Sequence, residues 1–155
     1  MDMVKMWTLV IAAASIAAGS DFTIQVGNPV AVNAATVQKV KNSIMAVRAQ
    51  GCADPSKARF TGTAMRVKGG SRESSALGFV EGTTAGSFAV VGGWAASEGP
   101  WLAVISGDCQ GSKAGAVIPV NAQGSYVRDA SRFFNHTPTD VEIETAMKTL
   151  AGESR

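Results

Sequence analysis

Few residues in this chain have the type and spacing to do chemistry. The one histidine, His136, lies in Phe133-Phe134-Asn135-His136-Thr137, and it is the only imidazole able to act as a general base. Serines are plentiful, but no G-x-S-x-G elbow presents one as a nucleophile. The simpler reading of His136 is a solvated or capping ring in a loop. A hydrolase built on it is the catalytic alternative. Cys52 and Cys109 are the only cysteines, far apart in sequence and without a C-x-x-C partner, so a redox or metal thiol pair is the weaker reading. Met45, Met65 and Met147 are scattered, with no M-x-x-M or H-x-M cluster of the kind a periplasmic metal carrier uses. They read as core fillers. Gly69-Gly70-Ser71-Arg72 lacks the lysine and the following helix of a phosphate loop, and reads as a hairpin turn. Trp94 and Trp101 flank Gly99-Pro100, and Phe133-Phe134 sit between Arg132 and His136. Trp94, Trp101, Phe133, Phe134 and His136 are therefore the candidate surface contacts, against the commoner fate of Trp in a core. Asn135-His136-Thr137 also fits the N-glycosylation pattern, with Pro138 unhelpfully next. No catalytic set, cofactor site or metal site emerges.

Composition narrows the class. The chain has 155 residues, 46% apolar and 17% charged, which excludes a wholly disordered protein. Net charge is +2, from 14 Lys and Arg against 12 Asp and Glu, too balanced for a dedicated nucleic-acid binder. Lys113, Arg128 and Arg132 are interrupted by Asp129 and Asp140 and read as a solvated face. The length suits one domain.

The elements that position these residues begin with an address. One cation, Lys5, precedes the uncharged run Met6 to Ala18, and Ala17-Ala18-Gly19-Ser20 supplies small residues. That order predicts a secretory signal peptide over 1–20, cut after Gly19 or Ser20. The run is about 20 Å as a helix, short of the roughly 30 Å hydrocarbon core, so no stable span remains after cleavage. Export to a periplasmic or extracellular space in turn predicts a structural disulfide between Cys52 and Cys109.

Residues 21–42 read as an N-terminal strand and linker, with Phe22, Ile24 and Val26 alternating. Residues 43–155 read as the main domain. Short segments rich in Val, Phe and Thr are separated by Gly-rich turns: 43–50, 59–68, 73–81, 86–91, 101–106, 114–120 and 125–129. Trp101 to Ser106 is continuously apolar, as in a strand covered on both faces. Gly107 to Lys113 reads as a polar loop, and Pro119 as a strand edge or end. Thr139 with Glu142 forms a capping box, and Ile143, Met147 and Leu150 share one stripe, which predicts a helix over 139–151 stopped by Gly152. The expected class is mainly β: an antiparallel sandwich of about seven strands with a short C-terminal helix.

Gly86-Ser87-Phe88, Gly99-Pro100-Trp101, Ala46 to Cys52, Thr61 to Ala64 and the strand Ala114 to Val120 carry a resemblance. Over about two-thirds of its length the chain resembles uncharacterised exported bacterial proteins with an immunoglobulin-like β-sandwich domain. That resemblance implies a sandwich and an envelope location, and no activity. The chain departs from antibody domains, where Trp closely follows the first Cys; here Trp94 lies well beyond Cys52. The expected function is an exported, non-catalytic binding or structural module of the cell envelope, with an unknown protein or small ligand as partner. The alternatives are a secreted hydrolase using His136, a periplasmic metal carrier, or a surface subunit that assembles by adding Asp21 to Val26 to a neighbour's sheet edge.

Overall fold

The computed structural model describes residues 22–28, 43, 45–82, 84–92, 94 and 100–153. The expected signal peptide with its cut, and nearly all of the linker after Asn28, lie outside the described residues. Among the described residues eight strands and one α-helix follow in chain order. They are β1 (Thr23–Gly27), β2 (Met45–Gln50), β3 (Ala58–Lys68), β4 (Ser71–Glu81), β5 (Ser87–Gly92), β6 (Trp101–Cys109), β7 (Ser112–Val120), β8 (Arg132–Phe134) and α1 (Asp140–Glu153).

All strands join in one antiparallel sheet of order β1-β2-β5-β4-β3-β6-β7-β8. The sheet curls because its longest strands share their edges unequally. Residues 71–76 of β4 pair with β3, while residues 77–81 pair with β5. Likewise β3 gives residues 58–65 to β6 and residues 63–68 to β4. Such staggered pairing turns a sheet towards a barrel. Its two arms meet across one core built from β1, β2 and β5 on one side and β3, β6 and β7 on the other. β1 approaches β7 and β8 without pairing. Side chains bridge there instead: Arg128 Nη2 donates to Val26 O at 2.6 Å, and Tyr126 Oη donates to Asn28 Oδ1 at 3.1 Å.

The mainly β class and the terminal helix agree with the sequence reading. The layering differs from the expected two-sheet sandwich, since β4 hands one arm over to the other and makes the sheet continuous. The Gly69-Gly70 hairpin is present; both glycines have positive φ, +60° and +82°, which a two-residue turn between twisted strands requires. Gly107 to Lys113 is not a loop. β6 runs to Cys109, β7 starts at Ser112, and only Gln110-Gly111 turn between them. Ser125–Asp129 is not a strand either. It gives a single bridge, Val120 to Tyr126, then a 3-10 turn, and the last strand is β8 further on.

β6 is buried on both faces from Trp101 to Ile105, as its apolar run predicts. Trp101, Ala103 and Ile105 enter the main core. Leu102 and Val104, on the opposite face, join Val117 of β7 beneath Met147 and Leu150 of α1. The helix is thus docked on the outside of the curled sheet by its apolar stripe. Its start is the expected capping box: Thr139 N–H donates to Glu142 Oε1 at 2.8 Å, and Glu142 N–H to Thr139 Oγ1 at 3.2 Å. Gly152 does not stop it, because the helix continues to Glu153.

Candidate functional site

Strand register decides what lies beside what on the outer face. Arg59 opposes Asp108, Thr61 opposes Ser106, and Thr63 opposes Val104 across β3 and β6. Across β6 and β7, Asp108 opposes Lys113, Ser106 opposes Gly115, and Val104 opposes Val117. The same face is therefore polar at one end and apolar at the other. α1 covers the apolar end through Leu102, Val104 and Val117. The polar end stays open as a groove of about 440 Å³ lined by Arg59, Thr61, Ser106, Asp108, Lys113 and Thr137.

One wall of the groove is the lead-in to α1. Pro138 is buried and lies against Gly115. A Cβ at Gly115 would meet His136 O and Pro138 Cδ at 2.5 Å, so the lead-in can lie on the sheet only if residue 115 has no side chain. The floor is held by Asp108. Its Oδ1 accepts the Gly111 N–H at 2.9 Å and its Oδ2 accepts Lys113 Nζ at 3.0 Å. Lys113 first, then the Gly111 amide, hold the Asp108 carboxyl below its ordinary range. Arg59 Nη1 donates to Ser56 O at 3.1 Å and to Ala58 O at 2.8 Å. Its Nε and Nη2 have no partner among the described residues. Nor do the hydroxyls of Thr61, Ser106 and Thr137. Two cations against one carboxylate leave the lining with one net positive charge.

The Cys52–Cys109 disulfide fastens this end, with Cα atoms 5.9 Å apart. Cys109 ends β6 and is buried in the core. Cys52 begins the link to β3, in which Asp54 Oδ1 accepts the Ser56 N–H and caps the turn Pro55–Lys57. That turn supplies the Ser56 carbonyl that steadies Arg59. A disulfide inside a folded core marks a chain that folds outside the reducing cytosol. No helix among the described residues is long and apolar enough to cross a membrane.

The aromatic candidates do not make one surface. Trp101 is core, 2% exposed, with its Nε1 unpaired among the described residues. It is corrected from surface contact to packing residue, because it starts a strand whose odd positions face inward. Trp94 is half-buried against the core, with the Arg66 guanidinium 4.5 Å from its ring centre. Phe133 is 40% exposed, while Phe134 packs beneath α1 and stacks on His136 at 5.2 Å between ring centres. His136 Nε2 lies 2.9 Å from Glu142 Oε2, tying the ring to the first turn of α1. The ring is exposed and lies in the lead-in before α1. Among the described residues no three or more His, Cys, Asp or Glu are grouped to hold a metal ion.

Sequence reasoning missed the groove. Its residues alternate with core positions such as Ala58, Phe60, Gly107 and Cys109, which is a readable signal. The register that brings Arg59, Asp108 and Lys113 into one row is not readable from any single strand. No family model, no curated protein and no solved structure matches this chain.

Proposed function

We propose that this protein is an exported, non-catalytic binding module of the cell envelope, periplasmic or secreted, and that the groove at the disulfide-fastened end of the sheet is its binding site. The observation that carries this reading is the groove itself. Arg59 and three hydroxyls line one 440 Å³ space, the hydroxyls and the Arg59 Nε and Nη2 being without partners among the described residues, on strands fixed by the core and by Cys52–Cys109. Polar groups held in place and left free are what a binding site needs, and 440 Å³ suits a small ligand. The disulfide, the signal-like first twenty residues and the resemblance to exported bacterial immunoglobulin-like proteins support the location.

The test is an amide-resolved NMR screen of the exported protein against soluble glycan, peptide and lipid-headgroup fragments. Shifts that saturate and centre on residues 59–61, 106–108, 113 and 137 support the reading. Saturable shifts centred elsewhere, for example on Phe133 and the β8 edge, overturn the site.

A further inference from the structure

Deepening that reading, we infer that the groove takes an oxyanion carried on a hydroxylated body: a carboxylate or phosphate monoester on a sugar-like ligand. The argument starts from which hydrogen-bond groups are spoken for. Arg59 Nη1 is occupied by the carbonyls of Ser56 and Ala58, which orients the planar guanidinium. Its Nε and Nη2 then remain as a fork with fixed aim, the geometry that grips a carboxylate or phosphate through two N–H groups. No carboxylate among the described residues lies in that fork. Asp108, the acid among the described lining residues, is engaged with Lys113 and with the Gly111 amide.

The rest of the lining sets what must surround the oxyanion. Thr61 and Ser106 face each other across β3 and β6, one row in from the Arg59–Asp108 pair, and Thr137 closes the wall. Each hydroxyl both donates and accepts, so this row matches ligand hydroxyls rather than a second charge. Asp108 retains lone pairs for a ligand O–H, and it repels a second anionic group. With one net positive charge, the lining suits one oxyanion and not a polyanion. The groove has no apolar side chain large enough to seat an acyl chain or an aromatic residue. Its volume holds about one or two sugar rings.

The experiment titrates the full exported chain with D-glucuronate, glucose 6-phosphate and glucose, followed by amide shifts. Expected are saturable shifts on residues 59–61, 106–108 and 113 with one of the two anions. Its affinity should exceed that of glucose about tenfold or more and should fall as salt rises. The carboxylate and phosphate arms decide which oxyanion is preferred. Arg59→Gln should remove that tenfold advantage, with Arg59→Lys in between. Ser106→Ala should weaken the anion and glucose alike, several-fold, at unchanged melting temperature; where Arg59 variants fold poorly, a salt dependence seen for the anion and absent for glucose keeps the oxyanion testable. Equal binding of glucose and both anions, or an unchanged affinity in Arg59→Gln, overturns the oxyanion and leaves the groove as a site. A groove that responds to none of the three also overturns the oxyanion. If the fragment screen then finds the groove silent as well, the binding reading itself falls.

Discussion

At the scale of single residues, Gly115 carries more than its size suggests. It sits in β7 with Pro138 and the His136 carbonyl laid directly over it. Gly115→Ala should push the lead-in to α1 off the sheet and cost about 1–3 kcal/mol, as overpacking does. Urea unfolding of the variant checks this, and an unchanged midpoint would show that the lead-in is loose. The cysteines make a second prediction. They close a span of 57 residues, for which loop entropy gives about 4 kcal/mol. Unfolding with and without reductant should differ by an amount of that order. The Cys52→Ala, Cys109→Ala double variant should match the reduced protein. The two cases differ in how far they could be read from the sequence. The expectation of export made a disulfide between the two cysteines of the sequence the natural reading, so their pairing was legible. Gly115 gave no sign, because what it must admit is a proline from another element.

At the scale of elements, local rules were legible and pairing rules were not. The capping box was readable because Thr139 and Glu142 satisfy each other within one turn. β6 was readable because an apolar run needs no partner to be recognised. Ser125–Asp129 looked extended, yet β7 is occupied by β8 at residues 115–117 and leaves this stretch one bridge. β8 itself is three residues long, too short to show an alternation. The helix start also has a testable pH dependence. The Thr139 amide first, with His136 contributing, holds the Glu142 carboxyl below its ordinary range. A carboxyl depressed in the folded state adds stability that is complete above its unfolded pKa and lost as pH falls through the folded one. The stability gap between the protein and Glu142→Gln should therefore be constant near neutrality and shrink from about pH 5 downward. A gap that persists unchanged at about pH 2 would mean that the carboxylate charge contributes nothing. Thr139→Ala removes the other half of the box and should cost about 1 kcal/mol near neutrality.

At the scale of the whole molecule, the sequence reading reached the class and missed the closure. Period-two strands with Gly turns specify an antiparallel sheet, but whether two arms stay separate or share a strand depends on stagger. Here stagger depends on where β3 and β4 divide their edges. Closure also bears on the strand-addition alternative. Phe22, Ile24 and Val26 are buried in this chain's own core, and Arg128 and Tyr126 reach across to β1. A β1 engaged in this way fits a monomer in solution, which a mass measurement would check. α1 covers an apolar patch on the outside of the curled sheet. Leu102, Val104 and Val117 are at most 9% exposed, with Met147 and Leu150 packed against them. Leu150→Ala should cost about 2–5 kcal/mol through the cavity it leaves. A chain ended before Thr139 should keep its sheet circular dichroism while gaining dye binding and self-association, since an exposed apolar patch beside strand edges recruits other copies. Full unfolding of the shortened chain would instead make α1 part of the core that holds the sheet closed. A shortened chain that stays monomeric and binds no dye would show that the helix covers nothing the sheet needs covered.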